Sequence, residues 1–391
     1  MRYVLIAGLV LSISLLAVGF WLYQRPLPAI RAEVIIPVQK TSEAIKLPWP
    51  SYGQAALGAV GFGVLERNNS SKPVPIASIA KVITALAVLK EKPLQNGQQG
   101  PLITITEADV QLYRDYLAKD GSVLPVSAGQ QITQYQALQA MLLPSANNIA
   151  DTTVVWAFGS VDKFIDFANQ FVKSLGLKQT QVADASGFSP KTVSTAEDLV
   201  FLGEAILKDP VLSNIINQSE ANFPGVGTIR NVNWLLGTDG ILGIKTGNTD
   251  EAGGCYLFGA KRTITGQNVT VIGAILGAPT RDIAMGDSRS LIQSADNGFE
   301  IVTAVKANQS VARYNLPWGG SLEAVAVNEM KLLNWKGKNV VLDTNLSDIQ
   351  APKTQNFSVG SIKSVSGGSK SVPVVLKQSV IAPSWTWRIF R

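Results

Sequence analysis

The chain has 391 residues, of which 46% are hydrophobic and 16% are charged. That length corresponds to two or three domains, and the composition is typical of ordered globular proteins. The net charge of +6 is modest and spread along the chain. Because no block of basic residues appears, the sequence does not indicate a nucleic-acid partner.

The sequence contains no histidine and a single cysteine, Cys255. Without histidine, Ser-His-Asp and Cys-His mechanisms are excluded, as are the common catalytic zinc sites. One cysteine also excludes an intrachain disulfide, and we interpret Cys255 as a buried small residue rather than a nucleophile. Hydrolytic chemistry in this chain must therefore use Ser, Lys, Asp, Glu or Tyr, or a hard metal ion.

Residues 1–24 are predicted to be a transmembrane anchor or a signal segment. The 21 residues from Tyr3 to Tyr23 carry no charge, and a helix of this length, about 31 Å, can cross a bilayer core. Aromatic residues at both ends suit the membrane interfaces. A cleaved signal peptide is the alternative, but no convincing small-x-small cleavage site follows Phe20, so we favour the anchor. The flanking arginines leave its orientation open.

Residues 25–51 are rich in proline and predict a linker, and residues 52–300 mix helical and strand patterns. The predicted helices there are Ser78 to Glu91, Ile132 to Leu143, Val161 to Leu175 and Ser194 to Leu207, and the predicted strands are Ala55 to Leu65, Gly254 to Ala260 and Val269 to Leu276. Strands that bracket several helices predict an α+β domain with helices packed on an antiparallel sheet.

After residue 300 the pattern changes to short β-like runs separated by turns such as Gly319-Gly320 and Gly367-Gly368. The predicted strands are Ile301 to Val305, Ala324 to Val327, Asn339 to Leu342, Phe357 to Ser361 and Val372 to Leu376. Residues 301–380 therefore predict an all-β domain. The tail, residues 381–391, is aromatic and basic. It could rest on a membrane interface, but a last strand or a loose end is the interpretation we favour.

A Ser-x-x-Lys pattern occurs twice, at Ser78 and Lys81 and at Ser160 and Lys163. Ser160 suits an N-cap that accepts from a backbone N–H. Ser78 also opens a helix and could be a cap, but residues three apart share a helix face, which places Lys81 beside its hydroxyl. A helix N-terminus favours both an oxyanion and a neutral lysine. Burial or a nearby cation could lower the lysine pKa enough for it to act as a base.

Two later motifs could complete a site of this kind. Ser145-Ala146-Asn147 follows Pro144, which ends an apolar helix and places the motif in a loop. Lys245-Thr246-Gly247 occurs once in the chain. Taken singly, turn chemistry explains the first motif, and a strand edge with a turn explains the second. In this order, the three motifs form the set of penicillin-binding proteins and serine β-lactamases.

On these residues the chain resembles the low-molecular-mass penicillin-binding proteins, the serine-type D-alanyl-D-alanine carboxypeptidases. Pro75 to Leu86 resembles the nucleophile segment of that family, and Leu142 to Asn148 resembles its second motif. Asp184 to Phe188, followed by Ser194 to Leu199, resembles a further typical stretch. The resemblance covers residues 52–300 and, more loosely, the β-rich region after residue 301.

The resemblance implies an acyl-enzyme cycle on peptidoglycan stem peptides, without cofactor or metal. Lys81 would take the proton from Ser78, which would attack the carbonyl between two D-alanines. Ser145 would carry a proton to the leaving amine. The resemblance also implies covalent inhibition by β-lactams and, because the substrate is cell wall, a membrane protein whose catalytic domain faces the extracytoplasmic side.

The substrate-binding residues implied by the resemblance are Asn147, Lys245, Thr246, Gly247 and Asn248. Asn147 would hold a substrate amide. Lys245, with Thr246, would bind the terminal carboxylate and keep the local potential positive. The backbone N–H of Asn248, with that of the nucleophile, would hold the oxyanion.

Three alternative functions remain open at this point. A peptidoglycan endopeptidase would use the same residues on different acyl donors. A serine β-lactamase needs a deacylating carboxylate, and we find no Glu-x-x-Leu-Asn stretch for it. Glu197 comes nearest, but Ser194 and Glu197 have the spacing of a capping box, which accounts for it. A catalytically inactive wall-binding scaffold is the third alternative, although every motif residue is present.

Overall fold

The computed structural model describes residues 2–37, 41–365 and 370–391, so the predicted turn at Gly367-Gly368 lies outside the described residues. Residues 45–299 form one compact unit, here called the mixed unit. The described residues before and after it form a second compact unit, here called the terminal unit.

The helices and strands are named in chain order. The helices are α1 (Arg2–Gln24), α2 (Ala80–Glu91), α3 (Glu107–Leu117), α4 (Gln134–Leu142), α5 (Asn147–Phe158), α6 (Val161–Ser174), α7 (Ala196–Lys208), α8 (Pro210–Ile216), α9 (Arg281–Gly298) and α10 (Trp385–Phe390). The strands are β1 (Ala32–Val34), β2 (Gln54–Ala59), β3 (Gly63–Asn68), β4 (Val74–Pro75), β5 (Leu102–Thr104), β6 (Gln131–Thr133), β7 (Val193–Ser194), β8 (Glu220–Phe223), β9 (Gly227–Arg230), β10 (Ile241–Thr249), β11 (Gly253–Ile264), β12 (Gln267–Ala278), β13 (Phe299–Val305), β14 (Ser310–Asn315), β15 (Ser321–Ala326), β16 (Met330–Trp335), β17 (Leu342–Leu346), β18 (Ser358–Ser364) and β19 (Ser371–Leu376).

The mixed unit is built on a five-stranded antiparallel sheet in the order β10-β11-β12-β2-β3. Consecutive residues of β11 and β12 are buried, so both faces of the sheet are covered. Helix α7 packs on β2 and β12, and α9 packs on β11 and β12. This confirms the predicted α+β class with helices on an antiparallel sheet.

Helix α2 lies at the centre of the mixed unit, because every residue from Ala80 to Leu89 is buried. A helix buried on all sides must be apolar all round, and this segment is apolar except for Lys81 and Thr84. Helix α6 lies nearer the surface and buries only Phe164, Ala168 and Val172, which are spaced one turn apart. The predicted cap is confirmed here, since Ser160 accepts from the backbone N–H of Lys163.

Two local predictions in the mixed unit were wrong. The single strand predicted from Ala55 to Leu65 is the hairpin of β2 and β3, because Gly61 and Gly63 adopt positive φ angles of 79° and 67° and turn the chain. The capping box predicted for Ser194 and Glu197 does not form. Thr195 caps α7 instead by accepting from the N–H of Asp198, because Ser194 is already paired in β7.

The terminal unit contains a six-stranded sheet in the order β1-β14-β15-β19-β18-β17, which confirms the all-β prediction for this region. Strands β14 and β16 were not predicted, and β17 begins where the strand predicted at Asn339 to Leu342 was expected to end. Within the segment predicted as a linker, β1 adds an edge strand, and Ala32 pairs with Tyr314. Three residues are too few to show a strand period, which explains why the pattern was not visible.

Helix α1 is long and apolar enough to cross a membrane, judged by length and composition, and none of its residues is buried. The tail is neither a strand nor a loose end, because Trp385–Phe390 forms α10 with Ser384 as its cap. Helix α10 contacts α1: the Arg388 guanidinium lies 4.4 Å from the centre of the Tyr23 ring. Arg391 donates to the Arg25 carbonyl at 2.9 Å.

Candidate active site

Ser78 lies in a short 3-10 turn, Ala77–Ile79, directly before α2. The cap position of α2 belongs to Ile79, and no side chain caps it, so the alternative role of Ser78 as a cap is not observed. Ala77 has a positive φ of 46°, a conformation that costs a non-glycine residue energy and that clusters at functional sites. The turn leaves Ser78 partly exposed while its neighbours Ala77 and Ile79 are buried.

Lys81 is fully buried and meets three acceptors. Its Nζ lies 2.8 Å from Ser78 Oγ, 2.7 Å from Asn147 Oδ1 and 2.8 Å from the Ser186 carbonyl oxygen. Burial lowers the pKa of Lys81 to about 7, although the charges of Asp184 and Asp151 act in the opposite direction. Near neutral pH a substantial fraction of this amine is therefore uncharged, and it can accept a proton from the serine hydroxyl.

The second motif lies between α4 and α5. Ser145 has a positive φ of 70°, its side chain is buried, and no described residue offers its Oγ a hydrogen-bond partner. A buried hydroxyl without a partner is unfavourable, so Ser145 Oγ is free to bond a group that is not among the described residues. Asn147 was predicted in a loop but is the first residue of α5, where its backbone N–H donates to the Ser122 carbonyl at 2.7 Å.

The third motif lies in β10 and runs past the turn that carries Ser78. A Cβ added to Gly247 would stand 3.0 Å from the Ser78 backbone nitrogen, so a side chain there would fit only if the turn shifted by a few tenths of an ångström. Lys245 is buried, and its Nζ donates to the Thr246 carbonyl at 3.0 Å. Its pKa is held well below the usual range by burial and then by the charges of Lys81 and Arg281.

The other two predicted residues of this strand differ in exposure. Thr246 is buried, whereas Asn248 is exposed and stands opposite Gly254 of β11. The structure therefore brings Ser78, Lys81 and Asn147 into direct contact and places Gly247 against the same turn.

The loop Asp184–Ser189 contributes groups that sequence reasoning did not assign to the site. The Asp184 carboxylate accepts from Ser186 Oγ at 2.9 Å and from the Phe188 N–H at 2.8 Å. This arrangement holds the Ser186 carbonyl on Lys81. A Cβ added to Gly187, which has a φ of 75°, would stand 1.9 Å from the Ala77 carbonyl oxygen, so the loop is pressed against the nucleophile turn. The sequence Asp184-Ala-Ser-Gly could have indicated this loop, because Asp, Ser and Gly favour turns in which side chains bond the backbone.

Two residues considered from the sequence do not join the site. Cys255 is buried, as predicted, and burial raises the pKa of its thiol to about 12, so it is not a nucleophile near neutral pH. The Glu197 carboxylate forms an ion pair with Arg67. The Glu197 side chain is therefore engaged in this ion pair and not in a capping box.

Known proteins are similar to this chain in sequence and in fold. The model of a family described as D-alanyl-D-alanine carboxypeptidase matches residues 61–280. D-alanyl-D-alanine carboxypeptidase DacA of Escherichia coli K12 is 26% identical over 332 residues, which cover 81% of this chain and 80% of that protein. A D-alanyl-D-alanine endopeptidase of Pseudomonas aeruginosa is 31% identical over 252 residues, which cover 62% of this chain and 76% of that protein.

Among solved structures, penicillin binding protein 5 from Haemophilus influenzae is similar with a TM-score of 0.64 at 22% identity, covering 86% of this chain and all of that one. The D-alanyl-D-alanine carboxypeptidase DacD from Francisella tularensis gives a TM-score of 0.63 at 21% identity, covering 90% and 97% of the two chains. At these identities the two structures support the fold.

Proposed function

This chain belongs to the D-alanyl-D-alanine carboxypeptidase family and is a serine-type enzyme of that kind, and we propose that Ser78 is its nucleophile and Lys81 its general base. The observation that carries this assignment is the 2.8 Å contact between Lys81 Nζ and Ser78 Oγ, made by a lysine that is fully buried. A buried amine next to a hydroxyl at a helix start is arranged to remove its proton.

In the proposed acylation step, neutral Lys81 accepts the Ser78 proton while Oγ bonds to the carbonyl carbon between two D-alanines. The backbone N–H groups of Ser78 and Asn248 hold the oxyanion. When the C–N bond breaks, the proton reaches the leaving D-alanine amine through Ser145, whose Oγ is buried without a partner among the described residues. Water then attacks the ester and restores Ser78.

The same geometry supports roles for the substrate-binding residues. Lys245 and Thr246 bind the terminal carboxylate, which brings a negative charge to two buried lysines that otherwise oppose each other. Asn147 uses Oδ1 for Lys81, so its Nδ2 remains to donate to a substrate amide carbonyl. The close approach of Gly247 to the nucleophile turn sets the width of this end of the site.

We further propose that α1 is a single-pass anchor and that the mixed unit lies on the extracytoplasmic face. The support is the apolar length of α1 together with the proposed substrate, a peptidoglycan stem peptide, which lies outside the membrane. β-Lactams, which offer a strained amide to the same nucleophile, are proposed to acylate Ser78.

A second candidate is endopeptidase action on cross-linked peptides, favoured by the relative that is 31% identical and bears that name. Release of D-alanine from a pentapeptide, measured beside cleavage of a cross-linked dimer, separates the two activities. We expect faster release from the pentapeptide.

The nucleophile is tested by incubating the full chain in detergent with benzylpenicillin and following the intact mass. We expect a covalent adduct on the wild type and none on Ser78→Ala. Ser160→Ala is the matched control, because it removes the other Ser-x-x-Lys serine, which only caps a helix. An adduct on Ser78→Ala, or none on folded wild type, would overturn the assignment. Rapid loss of the adduct with consumption of the drug would indicate a β-lactamase.

A further inference from the structure

A polar cluster outside the three motifs lies directly behind Lys81. The Tyr116 hydroxyl, near the end of α3, donates to Asp151 Oδ2 at 2.8 Å and lies 3.3 Å from Ser186 Oγ. Ser186 is the residue whose carbonyl accepts from Lys81 at 2.8 Å. Asp151 lies one helical turn after Asn147 in α5, and its side chain is buried. Two helices and one loop therefore converge on the proposed base through this cluster.

The pair of Tyr116 and Asp151 is held rigidly. The Tyr116 ring packs edge-to-face on Phe188, with ring centres 5.5 Å apart. The Tyr116 carbonyl accepts from the Gly121 N–H at 2.8 Å, and a Cβ at Gly121 would lie 3.0 Å from Asn147 Nδ2. Tyr116 is therefore fixed through its ring, its hydroxyl and its carbonyl, next to the residue whose carbonyl contacts Lys81.

We propose that Asp151 and Tyr116 are positioning residues for Lys81: Tyr116 bonds the Asp151 carboxylate and contacts Ser186, and this cluster places a negative charge behind the buried amine. The proposal rests on the proposed function, in which Lys81 takes the proton of Ser78. It adds a role for two residues that lie outside the three motifs at Ser78, Ser145 and Lys245.

Other charged groups belong to the elements that surround Lys81. Asp184 already accepts from Ser186 Oγ and from two backbone N–H groups, so its carboxylate is engaged within its own loop. Lys245 opposes a positive charge on Lys81. Asp109, which faces α5 from α3, accepts from Thr152 Oγ1 at 2.7 Å.

The charge of Asp151 can change at mildly acidic pH. Burial raises its pKa to about 6, while the Tyr116 hydrogen bond acts in the opposite direction. A cavity of about 280 Å³ lies beside it, and Asp115 and Lys119 line the outer part of that cavity. Water can therefore reach the carboxylate without crossing the nucleophile turn.

The sign of the expected effect follows from electrostatics. Lys81 must be neutral to act as a base, so the acylation rate rises with pH through the pKa of Lys81. The Asp151 charge raises that pKa. Asp151→Asn keeps an acceptor for Tyr116 but removes the charge, so the amine loses its proton at lower pH. We expect the acid limb of the rate profile to move down by about half a pH unit or more.

The experiment measures the second-order rate of acylation by benzylpenicillin from pH 5 to 9 on the full chain in detergent. Asp151→Asn should move the acid limb to lower pH, and Tyr116→Phe should move it in the same direction by less, because an unbonded Asp151 carboxyl stays protonated to higher pH. Asp115→Asn is the control, since this exposed carboxylate lines the same cavity and bonds only Gln111 among the contacts described for it. It should leave the limb in place.

A lower plateau rate in Asp151→Asn and Tyr116→Phe with an unmoved acid limb would overturn the proposal, because a purely structural role lowers the rate at every pH. If Asp151→Asn does not fold, Tyr116→Phe alone decides the outcome. Absence of any acylation in the wild type would instead contradict the proposed function, so the two failures can be told apart.

Discussion

The turn that carries Ser78 is contacted by two glycines from distant parts of the chain. Gly247 approaches the Ser78 nitrogen from β10, and Gly187 approaches the Ala77 carbonyl from the loop after Asp184. The positive φ of Ala77 is held in place by these contacts on both sides. A nucleophile in a packed turn keeps its position relative to the base, and small displacements there reduce the rate strongly.

Gly187→Ala should destabilise the protein and slow acylation. Alanine at a φ of 75° is strained, and its Cβ would meet the Ala77 carbonyl oxygen at 1.9 Å, so the turn must move. We expect the free energy of unfolding to fall by about 3 kcal/mol or more and acylation by benzylpenicillin to fall about 100-fold. Thermal melting and intact-mass kinetics measure the two effects.

Gly176→Ala is the matched control, because Gly176 has a similar φ of 78° but open space around its Cβ position. Its free energy of unfolding should fall only by the cost of the strained backbone, about 1–2 kcal/mol. It should be acylated at the wild-type rate. Equal losses in the two variants would show that backbone strain alone explains the effect at Gly187, and that its contact with the turn has no functional role.

Helix α5 contributes two side chains to the surroundings of Lys81. It presents Asn147 and, one turn later, Asp151 toward the base, and between them it buries Asn148. The Asn148 side chain forms two bonds with the backbone of Leu124: its Oδ1 accepts from the N–H at 3.1 Å, and its Nδ2 donates to the carbonyl at 2.9 Å. This pairing fixes the start of the helix against the preceding chain.

Asn148→Leu should loosen α5 at the end that meets the base. The substitution leaves the buried N–H and carbonyl of Leu124 unpaired, so we expect a loss of about 3 kcal/mol in the free energy of unfolding. Acylation should fall more than tenfold even where the variant is fully folded, because the helix start that carries Asn147 loses its pairing with Leu124. Denaturant unfolding and acylation kinetics measure the two quantities.

Gln134→Leu serves as the comparison, since it removes one buried bond to the Lys92 carbonyl at the opposite end of α4 from Ser145. It should lower stability without slowing acylation. An unchanged acylation rate in folded Asn148→Leu would contradict the role given to α5.

Contacts of the candidate site could be predicted from the sequence only where the two residues lie close together in the chain. The contact of Ser78 with Lys81 was predicted correctly from their spacing of three residues, although Ser78 lies in the 3-10 turn before α2. The contacts of Lys81 with Asn147 and with Ser186 join residues 66 and 105 positions apart, so no local pattern reveals them. The roles of the predicted site residues in catalysis and binding remain predictions.

Whole elements were missed for a related reason. Helix α5 buries Asn147, Asn148, Asp151, Thr152 and Thr153, so an apolar period is absent from a segment that is nevertheless in the core. Polar residues in a core need partners, and those partners come from other elements. The helix that lacks the expected apolar period is therefore the one that carries residues of the candidate site.

For the molecule as a whole, the terminal unit is built from both ends of the chain. Ile30 is buried there, and its N–H and carbonyl pair with Ile349 at 2.8 and 3.0 Å. Strand β1 follows immediately and pairs with β14. We therefore propose that the domain boundary lies after this segment rather than at the end of α1.

Two truncations test this boundary. A chain of residues 25–391 should be released from membranes and should keep its melting temperature in solution, because α1 buries none of its residues. A chain of residues 45–391 loses β1 and buried Ile30, so we expect the terminal unit to lose about 3 kcal/mol. Calorimetry resolves the transitions. Identical melting of the two chains would mean that residues 25–44 contribute nothing to the fold.

The two-ended construction of the terminal unit also sets an order of events during synthesis. Strand β1 is made before residues 45–299, but its partner β14 is made after them. The mixed unit can thus fold before the remaining strands of the terminal unit have been synthesised. Until then β1 has no partner strand and could pair with another chain. Because β1 has only three residues, this risk of misassembly is small. The strands that follow the mixed unit in the chain then complete the sheet to which β1 belongs.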